Sequence, residues 1–285
     1  MSLATLLLPL LAQVGPGGAL PQAPLPDRRA KAPTSQASTL PPRPAELSTE
    51  LQGCLTAAME NPADAVEKAD GWLAGAKTMK DKAGAQQCKA LALSRSDDWA
   101  EAAELFWAAR DNTPANEIRE RARLGALAGN AAIAAGEYAD ALIPLDKAHT
   151  DALAAGASEL DGLIQIDRAR ALVLLDRGDE AAKALQQARA EVPKNAQAWL
   201  LSATLSRRQG KLADAQQQIE RAAELMPIDP EIGLEAGVIA VESGRDEAAR
   251  KSWQSVITAA PGSTFAKTAQ GYLDQLGPPR ASPAK

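Results

Sequence analysis

The stretch NAQAWLLSATLSRRQGKLADAQQQIERAAELMPID, Asn195 to Asp229, decides the fold. Two runs built largely from Ala, Leu, Gln, Glu and Arg flank the short turn QGKL, and the second run stops at Pro227. Such residues favour helix, so the stretch predicts two helices joined by a turn. The following stretch, PEIGLEAGVIAVESGRDEAARKSWQSVITAAPG from Pro230 to Gly262, repeats the design. Ala215 is answered by Ala249, the turn QGKL by SGRD, and Pro227 by Pro261.

Working outward, the same frame runs back to Glu46. The anchor alanines are Ala65, Ala102, Ala141, Ala181, Ala215 and Ala249, spaced 37, 39, 40, 34 and 34 residues apart. Twelve residues before each stands a small residue: Gly53, Ala90, Gly129, Ala169, Ala203 and Gly237. Four after each stands an apolar one: Ala69, Phe106, Leu145, Leu185, Ile219 and Trp253. Seven after each come Trp72, Ala109, Ala148, Ala188, Ala222 and Val256. Twelve after, four copies carry Pro114, Pro193, Pro227 and Pro261. The small residue and the anchor mark the crossing of two helices, where no bulk fits. The residue four later lies one turn along the same face and fills the space beneath. Proline ends the second helix because it lacks an N–H and clashes with the preceding turn. The turns SDDW, GEY, RGDE, QGKL and SGRD separate the pairs, with glycine supporting a left-handed helix end.

These columns resemble the tetratricopeptide repeat (TPR), a 34-residue helix-turn-helix unit. The run LAGNAAIAAGEYADALIPLDKA, Leu127 to Ala148, is another clear copy. The resemblance covers about Glu46 to Leu276. It implies an all-α, right-handed α-α superhelix of about six repeats over residues 46–276. The first copy, with Asn61-Pro62 at its turn and no terminal proline, departs furthest from the pattern. The second, third and fourth are read as having lengthened connections. STFAKTAQGYLDQLG, after Pro261, reads as a single closing helix with Phe265, Tyr272 and Leu273 toward the stack.

The amino terminus reads as an export signal. Leu3 to Ala12 is an apolar run half as long as the ~20 residues that span a bilayer, with a small-residue cleavage point at Ala12. A greasy cytosolic tail is the alternative. Residues 13–45, with seven prolines between Pro21 and Pro44, read as a disordered tether. Residues 277–285 read as a disordered tail. The protein is expected in the periplasm or secreted, not inserted in the membrane once the signal is removed.

Aromatic residues are 3% of the chain against 46% hydrophobic overall, so the apolar content is mainly Ala and Leu. The 31 basic and 36 acidic residues leave a net charge of -5 without a basic stripe, which argues against nucleic acid.

The resemblance places Cys54 and Cys88, the only cysteines, on neighbouring first helices at positions that in TPR proteins can contact one ligand. A disulfide between them is therefore expected in an oxidising compartment, with two buried thiols as the cytosolic alternative. His149 is the only histidine and reads as exposed and idle. With two cysteines it cannot complete a tetrahedral zinc site, and no metal or cofactor is expected. No phosphate-binding glycine loop occurs, and the carboxylates read as scattered over polar helix faces, so no catalytic set is assigned.

First helices of TPR stacks line a concave groove that typically binds peptides. The matching columns here are Arg123, Asn130, Ile166, Arg170, Leu200, Thr204, Arg207, Leu234 and Val238. They imply a partner with a hydrophobic segment beside an acidic or polar one. Some members grip a peptide carboxylate with a Lys/Asn/Arg clamp. Here Asn130 matches, but Ala126 replaces the lysine and Asp167 stands where a donor is required. The sequence therefore reads as a non-enzymatic exported scaffold for a protein or peptide. A cytosolic adaptor and a regulatory subunit of an enzyme are the alternatives.

Overall fold

In the computed structural model of the chain, residues 48–278 are described. The apolar leader, the proline-rich segment and residues 279–285 lie outside them. Among the described residues there are thirteen helices and no strand. The order is α1 (Thr49–Glu60), α2 (Pro62–Gly75), α3 (Met79–Arg95), α4 (Trp99–Asn112), α5 (Ile118–Ala135), α6 (Tyr138–Ala154) and α7 (Ser158–Leu174). Then come α8 (Gly178–Glu191), α9 (Ala196–Arg208), α10 (Leu212–Leu225), α11 (Pro230–Glu242), α12 (Asp246–Ala259) and α13 (Thr264–Leu276). Six pairs stack in chain order, and α13 closes the end.

The repeat frame sets the helix ends. Every second helix begins three residues before its anchor alanine, and all but α6 end ten after it. Pro114, Pro193, Pro227 and Pro261 each stand two residues beyond the last helical one. The third repeat lacks that proline, and α6 runs on to 17 residues where the other second helices have 14. Five residues before the anchor the backbone turns left-handed, at Asp97, Gly136, Asp176, Gly210 and Gly244. In the fourth repeat this corrects the sequence reading. The left-handed residue is Asp176, and Gly178 instead opens α8. A short polar side chain tolerates that conformation better than other L-residues do.

The longer repeats also differ from expectation. Their extra residues lie mainly in helix and not in connections: α3, α5 and α7 have 17, 18 and 17 residues, against 13 in α9 and α11. Only the link from α4 to α5, residues 113–117, exceeds the others, by one residue, and each of these three first helices gains about one turn at its start.

All six anchor alanines are fully buried. In the third and sixth repeats the crossing leaves no room for a Cβ on the first helix. A Cβ added at Gly129 would stand 2.4 Å from Leu145 Cγ, and one at Gly237 would stand 2.1 Å from Trp253 Nε1. In both, the side chain four past the anchor lies over the glycine twelve before it. The first repeat breaks this rule. Only Asn61 joins α1 to α2, and α1 buries Leu51, Cys54 and Ala58, one residue out of frame. Gly53 is exposed, with no heavy atom within 4 Å of an added Cβ.

At the other end, Ala266, Ala269 and Leu276 of α13 are buried. Phe265, Tyr272 and Leu273 pack beside them, with the Tyr272 ring 5.1 Å from Trp253. No described helix is long and apolar enough to cross a membrane.

The same substitution should have opposite effects at two equivalent positions. Gly129→Ala should lower stability by about 1–3 kcal/mol through overpacking against Leu145. Gly53→Ala should raise it by about 0.5–1 kcal/mol by removing helical glycine entropy. Urea unfolding midpoints of the two variants against the parent check the contrast.

Candidate functional site: the face of the first helices

Successive first helices α5, α7, α9 and α11 lie side by side, so residues at one frame position form a row across the repeats. Fifteen residues before the anchor the row points inward. Ile166 and Leu200 are 4% and 3% exposed, packed against Ala188 and Val192 and against Ala203 and Ile219 respectively. They hold the stack together and offer almost no surface. Leu234, in the same row, is half-buried against the Trp253 cluster, as is Val238. Fourteen and eleven residues before the anchor the side chains reach the surface to different degrees: Asn130 is exposed, Arg170, Thr204 and Val238 are half-buried, and Asp167 and Glu235 are mostly covered.

The basic groups on this face are already paired. Arg123 is buried and donates from Nε and Nη2 to both oxygens of Glu120, at 2.8 and 2.5 Å. Arg170 Nη1 donates to Asp167 Oδ1 at 2.7 Å, and Asn130 Nδ2 reaches Asp167 Oδ2 at 3.1 Å from the neighbouring repeat. Arg207 Nε donates to Glu235 Oε1 at 2.7 Å, and its Nη1 donates to Glu242 Oε1 at 3.0 Å, both on the next first helix. A carboxylate ligand would have to displace these protein carboxylates, so the basic columns do not amount to a free anionic site. Burial pushes the Asp167 carboxyl above its ordinary range, against the pull of Arg170 and Asn130. Glu231 is also raised, first by burial and then by Asp229, with Arg170 opposing.

Glu235 and Glu242 were missed as partners in the sequence. Their signal was the spacing from Arg207, 28 and 35 residues, close to one repeat. That distance places the acids beside the arginine on adjacent first helices.

His149 corrects a second expectation. It is partly buried, and Nδ1 lies 2.6 Å from Oδ1 of Asp161, whose exposure is 0%. Gln165 Nε2 sits 2.9 Å from the same ring nitrogen. Gln187 Nε2 donates to Asp161 Oδ2 at 2.8 Å and to Glu191 Oε1 at 3.1 Å. The idle histidine is thus the centre of a polar cluster linking α6, α7 and α8. It occupies the added turn at the start of α7. The carboxylates are not all scattered either, because Asp161 and Glu191 share this cluster. Glu191 Oε2 is buried without a hydrogen-bond partner. Its carboxyl is raised by burial first, and the Asp161 charge adds to the rise.

Elsewhere a cleft of about 540 Å³ opens between the start of α4 and the end of α5, walled by Asp97, Asp98, Trp99, Glu101 and Ala134. Among the described residues no group of three or more His, Cys, Asp or Glu is arranged to hold a metal ion.

Cys54 and Cys88 are joined, with Cα atoms 5.9 Å apart, so the disulfide links α1 to α3. Neither cysteine is left as a thiol.

The Glu191 environment sets a pH dependence. A raised folded pKa means that the folded state holds the proton more tightly than the unfolded chain. Stability is therefore lost as pH rises from the ordinary carboxyl value of 4.5 through the folded value. Glu191→Gln should raise the melting temperature at pH 7 and leave it nearly unchanged at pH 4. Thermal unfolding of both proteins across that range checks the sign.

No protein-family model matches the chain, and no curated protein matches its sequence. Solved structures do resemble it. PilW, a widely conserved type IV pilus biogenesis factor, has a TM-score of 0.64 at 16% identity, covering 79% of this chain and 100% of that one. Pseudomonas aeruginosa pilF gives 0.62 at 16%, covering 79% and 96%. BtubC from P. vanneervenii gives 0.59 at 14%, covering 84% and 98%. At these identities the likeness speaks for the fold alone, and with the repeat frame it settles that fold: the chain is an α-α helical-repeat solenoid of the tetratricopeptide type.

Proposed function

We propose that this protein is a non-enzymatic binding scaffold working outside the cytoplasm, in the periplasm or secreted. It holds a peptide or partner protein along the face of its first helices. The observation that carries the reading is the row of outward side chains from Asn130 to Val238. It is continuous from repeat to repeat, with its ion pairs already formed across the helices. Such a row is pre-organised, so a partner need not order those side chains. The Cys54–Cys88 disulfide suits an oxidising compartment, and the apolar run Leu3 to Ala12 supplies the export reading.

The geometry narrows the partner. Arg123, Arg170 and Arg207 are all neutralised within the protein, which favours uncharged polar segments over acidic ones. Leu234 and Val238 offer half-buried apolar contact at the carboxyl-terminal end of the row. The best-fitting ligand is an extended segment with a short hydrophobic stretch beside uncharged polar residues. Assembly of an extracytoplasmic complex is the proposed setting, and pilus biogenesis, named for PilW, is one example of such a process.

Two measurements test this. Residues 1–45 fused to a reporter active only outside the cytoplasm should yield activity, and a silent fusion would favour the cytosolic adaptor. A photo-crosslinking residue at Thr204 or Val238 should trap a partner in the native cell, while one at exposed Lys183 on α8 should not. Equal yields from all three positions would remove the face from the argument.

A further inference from the structure

The first helix, α1, is held by a bond and by a seam whose fully buried members are mostly small residues. Its buried side chains are Leu51, Cys54 and Ala58. The cluster they enter is otherwise Ala65, Ala69, Cys88 and Ala92, with Leu55 and Ala57 of α1, Val66 and Trp72 of α2 and Leu91 of α3 partly buried beside them. In place of the Phe, Leu, Ile or Trp that fills the crossing in later repeats, this one has Ala69. Gly53, in mid-helix, packs against nothing within 4 Å. A 12-residue helix with a central glycine is marginal on its own.

By contrast, α2 has anchors of its own. The Trp72 ring lies across Gly84 of α3, so close that an added Cβ would sit 2.4 Å from it. Asp70 pairs with Lys89 of α3 at 2.9 Å. The disulfide bypasses α2 and fastens α1 directly to α3.

We propose that α1 is a redox-conditional element, docked on α3 while the Cys54–Cys88 bond is intact and released when it is reduced, with α2 and the remaining repeats staying folded. This inference rests on packing around the bond and not on the binding role or location proposed above. A dithiol reductant carries out the change in two exchanges. One of its thiolates attacks the Cys54 sulfur and expels the Cys88 thiolate. Its second thiolate then attacks the mixed disulfide and expels the Cys54 thiolate. The two electrons come from the dithiol, which becomes a disulfide, and both cysteines take up protons as thiols. Cys88 is 0% exposed and Cys54 6%, so attack must wait for α1 to lift. Release uncovers the small-residue face of Ala65, Ala69 and Ala92 together with the Cys88 thiol.

Hydrogen exchange of the full chain, with and without dithiothreitol, tests the proposal. With α2 still docked, the bond closes a loop of only about eight flexible residues. Protection within α1 should then fall on the order of a hundredfold on reduction. Protection in α2 and in α5 to α13 should stay within twofold. Cys54→Ala with Cys88→Ala should reproduce the pattern without reductant. Adding Gly53→Ala to that pair should recover about two- to fivefold of the lost protection. Protection that persists in α1 after reduction would overturn the proposal, and so would a parallel loss through α2 and the later repeats.

Discussion

The structure depends on how closely the two helices of a pair can approach, and that distance is set by which residue gives way. At Gly129 and Gly237 the first helix has no side chain, and Leu145 or Trp253 of the second lies in the space left. In the second, fourth and fifth repeats an alanine stands there, under Phe106, Leu185 and Ile219. Each pair is therefore a shallow lock with one large side chain over one small one. Interiors are packed too densely for both residues to be large or for both to be small. The first repeat shows the second failure. With Gly53 and Ala69 the lock is empty, α1 slides one residue out of frame, and a covalent bond takes over.

The same geometry explains where the polar groups are buried. Repeats two to four add about a turn to their first helices, and α6 adds one at its end. Those turns meet beyond the Ala/Leu seam, where the frame supplies no apolar column. Arg110 is buried there against Asp151 at 2.7 Å, and Asp161 against His149 and Gln187. A buried charge needs a partner, and most here have one. The unpartnered oxygen of Glu191 is an exception, and burial, with the Asp161 charge beside it, raises its carboxyl.

This division also explains what could be read from the sequence. Small, anchor, apolar and proline columns are local rules of helix contact and helix ending. They specified the pairs, the starts of the second helices and the closing helix. The left-handed column was half-hidden because Asp97 and Asp176 occupy it without being glycine. Added length was assigned to connections because spacing between anchors does not say whether extra residues are helical. Among the site residues, Ile166 and Leu200 turned inward because a row fifteen before the anchor and one fourteen before it differ by 100° around a helix. His149 looked idle because its partners, 12 and 16 residues away, lie on a different helix.

Charge pairing across repeats has a consequence for binding. Asn130 with Asp167 ties α5 to α7 on the outward face, and Arg207 with Glu235 and Glu242 ties α9 to α11, while the apolar seam ties the helices beneath. These contacts are polar and partly solvated, so each contributes modestly to stability. Their larger effect is on shape, because a change in the angle between adjacent repeats must stretch the outward pairs before it disturbs the seam. A ligand lying along the row competes with those pairs or bridges over them. One that bridges, using Thr204 and the apolar Val238, leaves the spacing of the repeats unchanged. One that brings its own carboxylate must break Arg170 from Asp167 within α7, or Arg207 from Glu235 between α9 and α11, and the second break loosens the stack it binds. The lower free-energy route is the bridging one, and for that reason the ligand proposed above is an uncharged, partly hydrophobic segment.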